Sequence, residues 1–296
     1  MDPSAIQYIV PLGNLGPWAH TLPTDHVYFY HHISGATIVP VTVYAPATGK
    51  VTNAFPGQNG EMKFWITVNA RFSYYFDHVI PSAGVTVGAT VQAGAPVGTS
   101  ASVAFDFAVL DELSRQSFVA PQRYGGDSLN CVSPFPFFAE PVRSQLNAKI
   151  QRTGADLDGR INFDVGGTLA GNWFGDDLPI STTSTSYDIS IGTKQVAFVR
   201  DVRFPDRLRV SLGGFDMTGV YGVPPEAPDF TSITPSSGLT VYRLLNLGEP
   251  GGPPGTTQLG LLLVQLTDAT HLRIEAVADR TATTATFSAA AKTYIR

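Results

Sequence analysis

The 296-residue sequence predicts a mainly β protein, and three observations carry that expectation. Period-two alternation and short apolar runs recur between turn residues, while helical periodicity is confined to one segment. Glycine (29) and proline (22) are abundant and fall largely between those runs, where they punctuate chain reversals. Charged residues make up only 15% of the chain, against the about 25% usual in globular domains. Serine, threonine, glycine and proline take their place, a composition typical of secreted β-rich proteins.

In the amino-terminal half, strands are expected at residues 25–32, 37–44, 63–69, 73–79 and 103–110. Turns are expected at Gly49-Lys50, at residues 56–60 and at residues 81–84. One connecting helix follows. Glu140-Pro141 opens it, with proline where no N–H donor is needed. Val142, Leu146 and Ile150 form its apolar stripe, and Gly154 stands where a carboxy-terminal cap belongs. Strands then resume at residues 160–165, 168–174, 186–191, 195–202, 207–212, 239–247, 260–267, 271–278 and 285–288. Many short strands at this spacing suggest an antiparallel β barrel or sandwich. At roughly 100–200 residues per domain, two domains fit the length. The expected division is residues 1–115, a helical connector over 116–155 whose aromatic residues pack inward, and a barrel or sandwich over 156–296.

Net charge is −5 and lysine or arginine runs are absent, which argues against a nucleic-acid partner. No run of 18 apolar residues exists, so no helical membrane span is expected. The polar opening Met1-Asp2-Pro3-Ser4-Ala5 reads as a secreted or periplasmic protein with its leader removed. The single cysteine, Cys131, is expected to be a small buried hydrophobe. No G-x-S-x-G elbow, Walker loop or dinucleotide fingerprint is visible. Arg200, Arg203, Arg207 and Arg209 alternate with Asp201 and Asp206, as a solvated and mutually paired face would.

Five of the six histidines lie within the first 78 residues, among ordered phrases. A histidine-rich strand (Asp25, His26, His31, His32) comes first. Pro40-Val41 leads through Ala45-Pro46 to Gly49-Lys50-Val51. An aromatic strand ends in Tyr75-Phe76-Asp77-His78. Gly88, Val91, Gly94, Val97 and Gly98 then form a lipoyl-like turn phrase, and Ala104-Phe105-Asp106 sits on a late strand. In order and spacing this resembles the lysostaphin-type zinc metallopeptidase domain, which cuts peptide cross-bridges of bacterial cell walls. The resemblance implies that fold for residues 1–115, zinc as cofactor, and peptidoglycan or another envelope glycan or peptide as partner.

The resemblance also implies a damaged site. Family zinc is held by H-x-x-x-D on an early strand and by the second histidine of H-x-H on a late one. Here His26 is kept, but Tyr30 stands at the aspartate position. Asp106 replaces the ligand histidine, Ala104 replaces its catalytic neighbour, and His78 matches the remaining catalytic histidine. Two readings follow: a pseudo-enzyme with a binding or accessory role at the cell envelope, or a zinc-dependent hydrolase with a rebuilt site. In the second, His26, Asp106, Asp25 and His20 are the candidate ligands, with His78 assisting; a His/His/Asp set suits zinc or another divalent ion. Asp25 and His20 read equally well as turn and cap residues around Leu22-Pro23-Thr24.

In the second half, Gly171-Asn172-Trp173 resembles the opening strand of lipocalin-like barrels. A core tryptophan after a glycine bulge fits the same residues. A barrel would offer an apolar small-molecule site, which makes a carrier the third functional reading.

Overall fold

The computed structural model describes residues 1–32, 37–180, 189–248 and 253–296, and it is mainly β with short helices. The chain divides into two compact units. The first comprises Met1–Leu12, Asp25–Gln116 and Gly126–Gly159; the second comprises Gly13–Thr24, Ser117–Gly125 and Arg160–Arg296. Among the described residues no helix is long and apolar enough to cross a membrane.

The first unit holds β1 (Tyr8–Val10), β2 (Val27–Tyr30), β3 (Val41–Tyr44), β4 (Gly49–Pro56), β5 (Met62–Thr67), β6 (Phe72–Pro81), β7 (Thr90–Val91), β8 (Pro96–Ser100), β9 (Ala104–Asp111) and β10 (Cys131–Val132). The main sheet runs β1-β2-β9-β6-β5-β4-β7, with antiparallel neighbours. β10 adds to β9, and β8 pairs with both β3 and the far end of β6. Alternation along each strand gives the sheet two unlike faces. One is aromatic and dry. Phe29 stacks on Phe105 at 5.2 Å, Phe76 meets Phe107 at 5.1 Å, and Phe64 meets Phe76 at 5.7 Å. Phe138, Val142 and Leu146 line the same apolar space as Phe29, Phe76, Phe105 and Phe107. Each buried phenylalanine contributes about 1.5–3 kcal/mol by transfer from water.

Two short helices serve this unit, α1 (Gly126–Asn130) and α2 (Val142–Asn147). The second is shorter than its apolar stripe predicts. After it, Lys149 O and Gln151 N bond to Ile9, so the backbone around Ile150 pairs with β1 and leaves the helix. Gly154 therefore lies beyond the helix and is not its cap. β1, β4, β7, β8 and β10 lie outside the strands expected from the sequence. Gly49, read as a turn, begins β4; a Cβ there would lie 2.7 Å from the Thr67 carbonyl, so this glycine marks close approach between strands. Within the expected strand at 37–44, only Val41–Tyr44 is extended into a ladder. Cys131 is fully buried, and burial pushes its thiol well above the usual range.

The second unit is a closed antiparallel barrel, which decides between barrel and sandwich. Its strands are β11 (Gly171–Gly175), β12 (Gln195–Arg200), β13 (Leu208–Leu212), β14 (Gly219–Gly222), β15 (Thr240–Leu245), β16 (Gln258–Leu266), β17 (His271–Val277) and β18 (Lys292–Ile295). Each pairs with the next, and β18 closes on β11 through Phe174 and Ile295. Alternate residues fill the interior, including Trp173, Phe198, Leu212, Tyr242, Leu262 and Ile274. Trp173 is fully buried and its indole N–H donates to Leu169 O at 2.9 Å. The Arg296 guanidinium stacks on that ring at 3.9 Å and donates to the carbonyls of Thr168, Leu169, Ala170 and Asn172.

Three expected strands need correction. Residues 160–165 are irregular, because side chains satisfy the backbone there: Asn162 Oδ1 accepts the Asp164 amide at 2.9 Å, and Arg160 donates to the Asn162 carbonyl. At 285–288 the Glu275 carboxylate takes the Ser288 amide and hydroxyl, and the closing strand comes later, at β18. Of 186–191, residues 186–188 lie outside the described residues, and Ile189–Gly192 forms a short helix, α3. Within the arginine face, Arg209 is buried against Asp201 at 2.6 Å, whereas Arg200 pairs with Asp229 outside the set.

Candidate functional site

The second face of the first unit's sheet is polar. Cross-strand register puts Tyr28 opposite Asp106, Asp106 opposite Asp77, and Tyr75 opposite Trp65. Directly opposed residues share a face, so these side chains form one row across β2, β9, β6 and β5. His26, immediately before β2, joins that row.

His26 is 1% exposed and is held on both sides. Its Nδ1 lies 3.1 Å from Asp25 Oδ1 and 3.2 Å from the Tyr75 hydroxyl. Its Nε2 lies 3.0 Å from the Tyr28 hydroxyl and 3.3 Å from Asp106 Oδ2. Burial opposes charge on this ring, but Asp106 and Asp25 outweigh it, and the pKa is raised. A carboxylate and a tyrosine hydroxyl thus flank each ring nitrogen. Asp25 also accepts from Tyr75 at 2.9 Å and from Ser128 at 2.6 Å. Burial pushes its carboxyl up, but the His26 hydrogen bond, the charges of His26 and Lys63 and the Ser128 bond outweigh that and hold it well below the usual range.

His78 reaches the same row because β6 bulges. On β5 the register moves from Phe64 to Met62 while on β6 it moves from Phe76 to Val79, so Asp77 and His78 together face one residue, Lys63. His78 has φ +59°, in the left-handed region. Beyond this bulge β6 leaves β9 and pairs with β8. A bulge of this kind re-aims consecutive side chains. His78 Nε2 comes within 3.7 Å of Asp106 Oδ2, and Nδ1 lies 3.1 Å from Glu61 Oε2. Asp106 is pushed up by burial, pulled down by His26 and His78, and pushed up again by Asp77, for a net raised pKa.

Of the sequence-predicted residues, the structure brings Asp25, His26, His78 and Asp106 together. His20 sits in the second unit, where its backbone pairs with Gly16. His31 turns to the Ser100 hydroxyl at 3.0 Å. Tyr30 stacks on Tyr8 at 4.4 Å, and Ala104 lies opposite it in the ladder. Sequence reasoning missed Asp77, Glu61, Tyr28, Tyr75 and Asp127. Asp77 adjoins His78 in the chain, but only the bulge makes that adjacency matter. Asp127, on α1, accepts from Trp65 Nε1 at 3.0 Å and pairs with Lys63 at 3.3 Å.

No protein-family model matches the chain, and comparison with curated proteins gives no match. Several solved structures are similar to it. LytU is 18% identical and aligns over 45% of this chain and 83% of its own, with a TM-score of 0.32. The solution structure of lysostaphin is 12% identical over 99% of this chain and 89% of its own, with a TM-score of 0.33. A zinc-containing peptidase from Vibrio cholerae is 20% identical over 36% of this chain and 34% of its own, with a TM-score of 0.29.

Proposed function

We propose that this chain is a binding or accessory protein of the bacterial cell envelope, working through the polar sheet face and without peptidase activity. The arrangement of His26 supports this reading. Placed between Asp25 and Asp106, and bonded to the Tyr28 and Tyr75 hydroxyls, His26 has both ring nitrogens engaged and neither free for a metal. Tyr30 and Ala104 leave two further family positions without a ligand or base. The same face carries aromatic surface for a ligand: the stacked Tyr8–Tyr30 pair, and Trp65 with the half-exposed Phe55. The motif resemblance points to peptidoglycan, or another envelope glycan or peptide, as the partner, and to a secreted or periplasmic location.

Co-sedimentation with insoluble peptidoglycan tests this. The intact protein is expected to pellet, and Tyr8→Ala/Tyr30→Ala to stay largely in solution. Turnover of cell-wall peptides that a chelator abolishes would defeat the reading, as would failure of the intact protein to pellet.

One observation favours the second reading, a zinc-dependent hydrolase: Asp106 and His78 face each other across 3.7 Å. It requires stoichiometric metal in the active protein and chelator-sensitive hydrolysis. The carrier reading finds less support, because side chains such as Trp173, Phe198 and Tyr242 fill the barrel interior.

A further inference from the structure

The buried carboxylate of Asp77 is left unexplained by the reading above. Asp77 is 5% exposed. Its Oδ1 accepts the His78 amide at 2.8 Å, and its Oδ2 has no hydrogen-bond partner. A buried carboxylate oxygen without a partner is costly. Asp77 also lies directly opposite Asp106 in the ladder, and like charges so placed repel. The surroundings do not compensate. Five carboxyl groups, Asp25, Glu61, Asp77, Asp106 and Asp127, crowd this face beside three basic side chains, Lys63, His26 and His78.

We propose that Asp77, His78 and Asp106 form a divalent-cation site, one step along the sheet from the position that His26 would serve. One ligand atom from each lies within 4.8 Å of the others. The 3.7 Å from His78 Nε2 to Asp106 Oδ2 is too long for a good hydrogen bond. It is close to the spacing of two donors on one ion, since donors about 2.1 Å from a tetrahedral metal lie about 3.4 Å apart. One imidazole and two carboxylates suit zinc or manganese rather than a soft ion. The outer contacts are those of a metal-bound histidine. Glu61 faces His78 Nδ1 at 3.1 Å, and Ser102 donates to the other oxygen of Glu61. That arrangement fixes the tautomer with Nε2 unprotonated and directed at the ion. His78 is half-exposed, which gives the ion a path from solvent. The proposal stands apart from the envelope-binding reading and needs no glycan to test.

The test is a titration of the chelator-stripped full chain with Zn(II), with Co(II) absorption as a second measurement of ligand geometry. One saturable site is expected, with a Zn(II)-dependent rise in melting temperature. Asp77→Asn and His78→Ala should abolish both signals. Glu61→Gln should weaken affinity about 10–100-fold, the usual loss when an outer partner of a ligating histidine is removed. His78→Ala alters a half-exposed side chain, so its fold can be verified by circular dichroism before titration. No saturable binding by the folded wild type would overturn the proposal. So would binding that survives both Asp77→Asn and His78→Ala, or that survives them and disappears in Asp25→Asn, which would put the ion on the His26 side.

Discussion

His26 is a buried imidazole that two buried carboxylates share, and its removal is informative. His26→Ala leaves Asp25 and Asp106 without their common partner. Breaking a buried ion pair from one side costs about 3–5 kcal/mol. Denaturant unfolding should show a loss of that size; a loss below about 1 kcal/mol would mean that His26 is neutral and free for other use. Asp111 supplies a separate pH response. Its carboxylate takes both Arg71 nitrogens at 2.7 Å, together with the Leu113 amide and the Ser114 hydroxyl. The Arg71 bonds hold its pKa well below the ordinary value of about 3.9. A carboxyl depressed in the folded state stabilises fully above its unfolded pKa, and that stability is lost as pH falls through the folded value. Melting temperature should therefore fall between pH 5 and pH 2, and Asp111→Asn should flatten part of the slope. Equal slopes for the two proteins would contradict this assignment.

Among the elements, the barrel's first strand depends on Arg296, the residue just after the last strand. Arg296 covers Trp173 and ties down the carbonyls of the segment entering β11. Burial lowers its pKa to about 10, so it is charged at neutral pH. Arg296→Ala should cost about 2–4 kcal/mol in lost charged hydrogen bonds and ring stacking. Arg296→Lys should recover little of it, because an ammonium lacks the planar fork. Full recovery with lysine would reduce the contact to simple charge. In the other unit, β6 crosses from β9 to β8 where Gly98 lies flat against it. A Cβ on Gly98 would come 2.4 Å from Val79 and 2.5 Å from the Ile80 carbonyl. Gly98→Ala should push β8 from β6 and lower the melting temperature, by overpacking at about 1–3 kcal/mol.

Over the whole molecule, the two units are interleaved along the chain. The second unit takes Gly13–Thr24 and Ser117–Gly125 from within the sequence span of the first. Those pieces include buried groups: Phe118, Tyr124 and a fully buried Arg123 bonded to the Leu178 and Pro179 carbonyls. A fragment ending at residue 155 should therefore expose them and aggregate, whereas the full chain stays soluble. A soluble fragment with native-like near-ultraviolet circular dichroism would refute that expectation.

The mainly β character was determined by the sequence itself, because period-two alternation is a local property that each strand writes for itself. The buried Cys131 was expected from its residue type, and the clustering of His26, His78 and Asp106 from the motif resemblance. Other features were decided only in three dimensions. Gly49 reads as a breaker until its contact with β5 is seen, and β1 is too short to announce itself. Glu275 and Asn162 removed two expected strands by taking backbone amides that a ladder would have used. The helix stopped early because the backbone around Ile150 found a partner in Ile9. His20 is near His26 in sequence yet belongs to the other unit. Asp77 and His78 should point to opposite faces on a regular strand, and a bulge turned both toward Asp106. Sequence fixes which way a strand alternates, but a bulge is a mismatch between two strands, so it exists only once they pair.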